Sequence, residues 1–201
     1  MSEPTLNRQE LAALLAHELG RRSAFEPDWY DSLRDSFLAL CGKVEDTVAA
    51  RGTIFVCGNG GSAAQAQHFA AELVGRFKQE RRAIASVALT TDTSALTALG
   101  NDYGIEEMFR RQAEALMRAG DLLIGLSTSG DSPNVVTAVS WAAAQGFATA
   151  ALTGKGGGAL AGAAGICVAV PSRETDLIQE KHLVLLHILA AVSERILAPS
   201  P

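Results

Sequence analysis

The stretch Phe55-Val-Cys-Gly-Asn-Gly-Gly-Ser62 decides the fold of this chain, together with the segment that follows it, Ala63-Ala-Gln-Ala-Gln-His-Phe-Ala-Ala-Glu72. An apolar strand comes first, a glycine-rich turn follows, and an alanine-rich helix begins after the turn. In open α/β sheets, ligands bind beyond the carboxyl ends of the strands, and helix N-termini there present free N–H groups to anions. The order of these three pieces therefore predicts a ligand site at the turn.

Two polar side chains of this predicted helix, His68 and Glu72, are four residues apart. Positions four apart on a helix differ by roughly 40° in direction, so the imidazole and the carboxylate share one face. Such a pair can bind a metal ion or transfer a proton. The alternative is an ordinary polar face on an alanine-rich helix. The position of the pair directly behind the glycine turn favours a functional site.

The length of 201 residues, 48% of them hydrophobic and 5% aromatic, is enough for one domain with a full core. We therefore predict a single domain over residues 1–201, with N-terminal helices in residues 1–50 and the sheet core and C-terminal helix in residues 51–201. The aliphatic, alanine-rich composition suits helices packed closely against a parallel sheet.

Charge, hydropathy and cysteine content narrow the class of protein. A formal net charge of −5 argues against a general nucleic-acid-binding role. No apolar run reaches the roughly 18 residues of a membrane span, and the first residues lack the basic and then apolar pattern of a secretory signal. Cys41, Cys57 and Cys167 are far apart, which predicts buried free thiols. We expect a cytoplasmic protein with no membrane or nucleic-acid partner.

Short apolar runs alternate with helical segments after two predicted N-terminal helices, Leu6 to Arg22 and Trp29 to Ala50. A last helix is predicted from Glu174 to Leu197. Strands that alternate with helices in this way predict an α/β fold, a parallel sheet covered by helices on both faces. The five predicted strands are Thr53 to Cys57, Ile84 to Leu89, Asp121 to Leu126, Phe147 to Leu152 and Ile166 to Val170.

A second polar turn, Ser127-Thr-Ser-Gly-Asp-Ser-Pro-Asn134, follows the third predicted strand and leads into a helix. Its hydroxyl groups and backbone N–H groups, next to the positive end of a helix, suit a phosphate group. A serine-rich helix N-cap is the alternative. The presence of the first glycine turn makes phosphate binding the favoured interpretation.

Three further groups of residues leave alternatives open. In the last helix, periodicity pairs Glu180 with His187 and puts Gln179 about 80° away from His187, while His187 alone could be a core histidine. The basic residues Arg76, Lys78, Arg81 and Arg82 suit either a solvated loop or a subunit boundary. The glycine-rich run Gly154–Gly158 is most simply a strand-to-helix loop, because it lacks the pattern of a phosphate-binding P-loop.

Six segments together closely resemble the bacterial phosphoheptose isomerases, which have the sugar isomerase (SIS) fold. The resemblance covers nearly the whole chain in order, but it is poor before about Trp29 and partial at Arg173–Asp176. The segments that carry it are Phe55 to Ser62, His68-Phe-Ala-Ala-Glu72, Gly100-Asn-Asp-Tyr-Gly104, Ser127-Thr-Ser-Gly-Asp-Ser132, Leu152-Thr-Gly-Lys-Gly-Gly157 and Ile178-Gln-Glu-Lys-His-Leu-Val-Leu-Leu-His187.

This resemblance implies a three-layer SIS-type fold with a five-stranded parallel sheet, flanking helices and N-terminal helices. It also implies conversion of sedoheptulose 7-phosphate to D-glycero-D-manno-heptose 7-phosphate, the first step towards the heptose of lipopolysaccharide and other surface glycans. One zinc ion per subunit is implied, with the ligands His68, Glu72, Gln179 and His187. The implied substrate-binding residues are Asn59, Gly60, Gly61, Glu72, Asn101, Asp102, Ser127, Thr128, Ser129, Ser132 and Gln179.

For the chemistry, we expect Glu72 to act as the catalytic base and His187 as the complementary acid. An aldose–ketose isomerisation moves a proton between two adjacent carbons, most simply through a cis-enediolate, and needs such a pair.

For the assembly, the resemblance implies a homotetramer with active sites near the subunit interfaces, where Arg76 reaches a neighbouring site. The abundance of amphipathic helix also favours burial of helix faces between subunits. The alternative function is a non-catalytic SIS protein that binds a sugar phosphate and regulates a partner such as a replication initiator. In that type of relative, the position of Glu72 is not acidic and that of His187 is not histidine, so the two residues favour an enzyme.

Overall fold

The computed structural model describes residues 27–197, and the chain from Leu33 onwards forms one compact unit. Its centre is a five-stranded, all-parallel sheet with the strand order β2-β1-β3-β4-β5. This architecture confirms the predicted α/β fold. The strands are β1 (Ile54–Gly58), β2 (Ser86–Ala88), β3 (Leu122–Ser127), β4 (Ala148–Thr153) and β5 (Ile166–Ala169).

Seven α-helices accompany the sheet within the described residues, and two short 3-10 helices cover Pro27–Leu33 and Ile105–Glu107. The α-helices are α1 (Arg34–Ala49), α2 (Gly61–Val74), α3 (Thr93–Tyr103), α4 (Met108–Leu116), α5 (Pro133–Ala144), α6 (Leu160–Ala163) and α7 (Thr175–Leu197). None of the helices in the described part is long and apolar enough to cross a membrane. The predicted helix from Leu6 to Arg22 lies outside the described residues.

Side chains alternate between the two faces of the buried central strands. Phe55 and Cys57 of β1 join Leu123 of β3 in a cluster that also contains residues of α4, α5 and α6, such as Phe109 and Val139. Helix α7 packs against both α1 and α2, and α2 also contacts β1 and β2. Burial on both faces explains why β1 and β3 are almost continuously apolar.

Two predicted elements differ in extent from those observed. The helix predicted from Trp29 to Ala50 begins as a 3-10 helix and becomes α-helical at Arg34. The strand predicted from Ile84 to Leu89 shrinks to three residues, because β2 is an edge strand that pairs with β1 alone. The backbone N–H of Ile84 donates to the carbonyl of Leu73, near the end of α2, and so takes no part in the ladder.

The three cysteines are free thiols, as predicted. Cys57 is fully buried in β1, and burial raises the pKa of its thiol to about 12. The prediction that all three are buried was wrong for Cys41 and Cys167, which are half-buried. The basic cluster also needed correction at one residue, because the Arg81 side chain is 1% exposed and fits neither a solvated loop nor a boundary.

Candidate functional site

Two polar turns meet at the carboxyl edge of the sheet, where the chain leaves β1 and β3. These strands are direct neighbours, with Gly58 opposite Leu126. The two turns are joined by the side-chain amides of Asn59 and Asn134, each donating to the other at 2.8 and 2.9 Å. Because β2 lies on one side of β1 and β3 on the other, this edge is the switch point at which α/β sheets bind ligands.

The second turn gathers hydroxyl groups in front of α5. The Oγ of Ser127 lies 2.9 Å from that of Ser132 and 3.3 Å from that of Ser129. The backbone N–H groups of Gly130 and Asp131 donate to Ser127 and Ser129. Ser132 is the N-cap residue, yet its side chain makes no capping hydrogen bond. Helix capping therefore does not explain the Ser132 hydroxyl. The serine cluster instead places several O–H groups next to the positive end of a helix.

Glycine is required in this turn. Gly130 has φ = +75°, and a Cβ atom there would lie 2.0 Å from the carbonyl oxygen of Gly157. The turn is thereby held against the loop after β4, where the amide of Ala159 also donates to Asp131. That loop, Gly154–Gly158, connects β4 to α6 as predicted. The close approach of the two backbones and the hydrogen bond to the Asp131 side chain hold the serine turn against this loop.

The His68, Glu72 and His187 side chains converge between α2 and α7. The two imidazole Nε2 atoms are 2.9 Å apart, and the Nε2 of His68 lies 3.5 Å from the Glu72 carboxylate. One ligand atom from each residue lies within 4.8 Å of the other two. Zinc accepts imidazole nitrogen and carboxylate oxygen at about 2.0–2.2 Å. The donor types and their spacing therefore fit one divalent metal ion after small side-chain rotations.

Gln179 lies at the start of the same cleft, against the N-terminus of α2. Its side-chain amide is close to Gly61, where an added Cβ would meet it at 2.5 to 2.8 Å. Its backbone carbonyl accepts a hydrogen bond of 2.6 Å from the Gln65 side chain. The neighbouring Glu180 is exposed and is not part of the His68–Glu72–His187 group. Glu180 therefore does not join His187 in the site, although periodicity suggested that pairing.

The other predicted substrate-binding residues differ in their exposure to solvent. Asn101 and Asp102 are exposed on α3, and the Asn101 amide donates to the Asp102 carboxylate at 2.8 Å. Thr128 is half-buried in the serine turn, and Gly60 is exposed with φ = +53°. The conformation of Gly60, the N-cap of α2, requires glycine there.

Sequence analysis gave no individual role at the site to four nearby residues, Asn134, Phe77, Arg81 and Glu194. The Phe77 ring stacks on the His187 imidazole, with centroids 5.3 Å apart and an interplanar angle of 18°. Glu194 accepts backbone hydrogen bonds from residues 77 to 79. The sequence did carry a signal for Glu194. It lies seven positions after His187, and seven positions return a helix to within roughly 20° of the same direction.

His182 is the core histidine of α7. It is fully buried, and its Nε2 lies 3.0 Å from the carbonyl oxygen of Thr153. Burial lowers the pKa of its imidazole to about 4, although the hydrogen bond to Thr153 acts in the opposite direction. The neutral ring is therefore a structural element, whereas His187 of the same helix faces the cleft.

Comparison with known proteins points to one group. A family model described as SIS domain matches residues 29–154. A phosphoheptose isomerase from Akkermansia muciniphila is 51% identical over 173 residues, which cover 81% of this chain and 92% of the relative. The structure of a phosphoheptose isomerase from Neisseria gonorrhoeae matches with a TM-score of 0.85 and 40% identity over 92% of this chain and 99% of its own. That of the enzyme from Francisella tularensis has a TM-score of 0.86 at 32% identity, over 92% and 98%.

Proposed function

The chain belongs to the SIS domain family and, within it, to the phosphoheptose isomerases, and from this membership we propose that it converts sedoheptulose 7-phosphate to D-glycero-D-manno-heptose 7-phosphate. Membership of this family makes the chain a sugar-phosphate isomerase. The product would feed heptose synthesis for lipopolysaccharide and surface glycans, in the cytoplasm.

The observation that carries the proposal is the convergence of His68, Glu72 and His187 in one cleft. We propose that these three residues and Gln179 hold one zinc ion per subunit. When bound, zinc supplies a Lewis acid that polarises the carbonyl and hydroxyl oxygens of the substrate. The side-chain amide of Gln179, on the same side of α7 as the cleft, is in a position to turn towards the metal or the sugar.

Proton transfer is assigned to Glu72 and His187. Glu72 removes the proton from C1 of the ketose, and the electron pair of that bond forms the C1–C2 double bond of a cis-enediolate, which becomes the neutral enediol when His187 protonates the C2 oxygen. Return of a proton to C2, with loss of the proton on the C1 oxygen, gives the aldose. Glu72 is partly exposed, with 22% of its side-chain surface accessible, so its carboxylate can reach a substrate.

We assign the phosphate group to the turn from Ser127 to Ser132. Its clustered hydroxyls and the N-terminus of α5 supply donors for a phosphate. Asn59, Gly60 and Gly61 on one side, and Asn101 and Asp102 on α3, would hold the sugar hydroxyls. Binding energy from the phosphate end then aligns the reacting end with Glu72 and His187.

We further propose that the active form is a homotetramer with active sites near subunit interfaces, to which Arg76 of a neighbouring chain contributes. Apolar side chains on the exposed side of α7 support this, since Val184 is 44% and Ile188 is 39% exposed. They line a groove of about 370 Å³ together with Phe77 and Val192, and His187 borders the same groove. We propose that this groove forms part of an interface between subunits.

The experiment that tests the function is incubation of the purified protein with sedoheptulose 7-phosphate in deuterated water. We expect formation of the aldose and exchange of a proton at C1. Removal of metal with a chelator should abolish turnover, and added zinc should restore it. A protein that binds the sugar phosphate without exchange would instead support a non-catalytic SIS protein that regulates a partner. Turnover unaffected by chelation would contradict the zinc assignment.

A further inference from the structure

A buried ion pair lies behind the candidate site and takes no direct part in it. Glu194 of α7 is 2% exposed and Arg81 is 1% exposed at the side chain, and the Arg81 Nε lies 3.7 Å from the Glu194 carboxylate. Removal of two charges from water is costly unless hydrogen bonds compensate. The hydrogen bonds of both side chains therefore show what this pair holds in place.

Glu194 holds the loop that follows α2. Its Oε1 accepts hydrogen bonds from the backbone N–H groups of Phe77 and Lys78 at 2.8 and 3.1 Å, and its Oε2 accepts from Lys78 and Gln79 at 2.9 and 3.1 Å. Burial raises the pKa of the carboxyl, but these three N–H groups and Arg81 outweigh it and keep the pKa below its usual value. Glu194 is thus an ionised anchor for three successive residues.

Arg81 holds the end of the helix that carries His68 and Glu72. Its guanidinium donates to the carbonyl oxygens of Glu72, Leu73 and Gly75 at 2.6 to 2.8 Å. These carbonyls belong to the last turn of α2 and its cap, where a positive charge also complements the helix dipole. One ion pair therefore ties the end of α2, the following loop and α7 together.

Phe77 is the residue of this loop that touches the site. Its ring is stacked on His187, and its backbone N–H is one of the groups held by Glu194. The His68 ring makes a second, edge-on contact with the His187 imidazole, at an interplanar angle of 71°. A flat aromatic surface on one side of His187 leaves the ring little freedom to rotate out of its plane.

We propose that Glu194 and Arg81 are positioning residues, which hold Phe77 against the His187 imidazole and so fix the direction in which its Nε2 points into the site. The effect on turnover rests on the proposed isomerase function, whereas the effect on ring orientation does not. Because Glu194 acts on His187 through the Phe77 ring, we also expect that position 77 needs an aromatic side chain.

The test uses NMR of the histidine rings in the metal-free protein at one fixed pH. The chain has four histidines, so single His→Gln variants assign each signal. A ring stacked on Phe77 experiences its ring current, and we expect upfield-shifted His187 signals. The shift should be lost in Glu194→Gln, which keeps one acceptor oxygen but places an N–H₂ donor against the backbone N–H groups and lacks the charge that pairs with Arg81, and in Phe77→Leu. It should persist in Phe77→Tyr, which keeps the aromatic ring.

Asp121→Asn is the matched control. Asp121 is a buried carboxylate at the other end of the sheet and likewise accepts backbone hydrogen bonds, from Thr53 and Arg118, at 2.7 Å each. The Asp121→Asn substitution should lower the free energy of unfolding without changing the His187 signals. If Glu194→Gln does not fold, Glu194→Asp replaces it, because the shorter side chain keeps the charge but cannot reach all three N–H groups.

We expect kcat to fall about tenfold in Glu194→Gln and Phe77→Leu, as for groups that orient metal ligands, with KM nearly unchanged and Phe77→Tyr close to normal. Unshifted His187 signals in the parent protein, a shift that persists in folded Glu194→Gln, or an equal loss in Asp121→Asn would each overturn the proposal. An inactive parent protein with the expected pattern of shifts would refute the isomerase function and leave the positioning role supported.

Discussion

At the residue scale, the candidate chemistry depends on two side chains that approach a common point from different helices. Glu72 comes from α2 and His187 from α7, and each also neighbours His68. A change that keeps the shape of either side chain but removes its ability to exchange protons isolates its chemical role from its packing.

Glu72→Gln and His187→Gln should each lower kcat by about 10²-fold or more, the usual contribution of a general acid or base. The measurement is turnover of sedoheptulose 7-phosphate by variants whose circular dichroism matches that of the parent protein. Zinc content is determined in parallel, because both residues are also assigned to the metal. Near-normal turnover in either variant would remove that residue from the chemistry.

Gly61→Ala tests the role of Gln179. The added methyl group would overlap the Gln179 amide, which is the mobile end of a side chain, so the amide should move while the fold persists. We expect weaker zinc binding and lower turnover. Gly42→Ala is the control, because a Cβ in that part of α1 meets nothing within 4 Å. A raised KM with unchanged zinc affinity would assign the effect to lost substrate contact at Gly61 and argue against Gln179 as a ligand.

At the element scale, α7 combines core and site functions on one helix, and its buried histidine makes the fold sensitive to acid. The pKa of His182 is about 4 in the folded protein, below the ordinary value of 6.5. The unfolded chain therefore takes up a proton in the window between these values and the folded one does not. The stabilising effect of the neutral ring is complete above pH 6.5 and is lost as the pH falls towards 4.

Urea unfolding at about pH 7 and about pH 5 measures this effect, and the contribution of His182 should amount to a loss of about 2 kcal/mol. His182→Gln keeps an N–H donor for the Thr153 carbonyl but has no proton to gain. It should be less stable than the parent at the higher pH and lose less stability on acidification. Equal losses in the two proteins would show that other groups cause the acid sensitivity.

The elements themselves were largely predictable from sequence, because buried parallel strands are apolar runs and the helices between them follow a 3.6-residue period. The convergence of α2 and α7 followed only from the family resemblance, which grouped His187 with His68 and Glu72, and from no pattern of spacing along the chain. Sequence places His68 and Glu72 on one helix face, but only packing brings His187 to the same cleft. The pairing of Glu194 with Arg81 was missed for the same reason, since two residues 113 positions apart share no local pattern and polar residues are usually exposed.

At the scale of the whole molecule, the apolar groove along α7 bears on assembly. Ile188→Glu would place a charge in the groove beside His187 and should lower the oligomeric state if this surface is an interface. Sedimentation measures the mass of the parent protein, for which we expect a tetramer, and of the variant, for which we expect smaller species. A parent protein that is fully active as a monomer would refute active sites that depend on neighbouring chains.

Among the described α-helices, α3 contributes least to the buried core, although Leu96 packs against it. None of the residues of α3 is buried, although it carries Asn101 and Asp102 and follows an Asp92 N-cap that accepts from Ala95. A segment with so little apolar burial opens at low free-energy cost, so we expect its amide hydrogens to exchange with solvent long before those of β1 and β3. If Asn101 and Asp102 hold the sugar as proposed, ordering of this helix on binding costs conformational entropy, which lowers affinity and favours release of product.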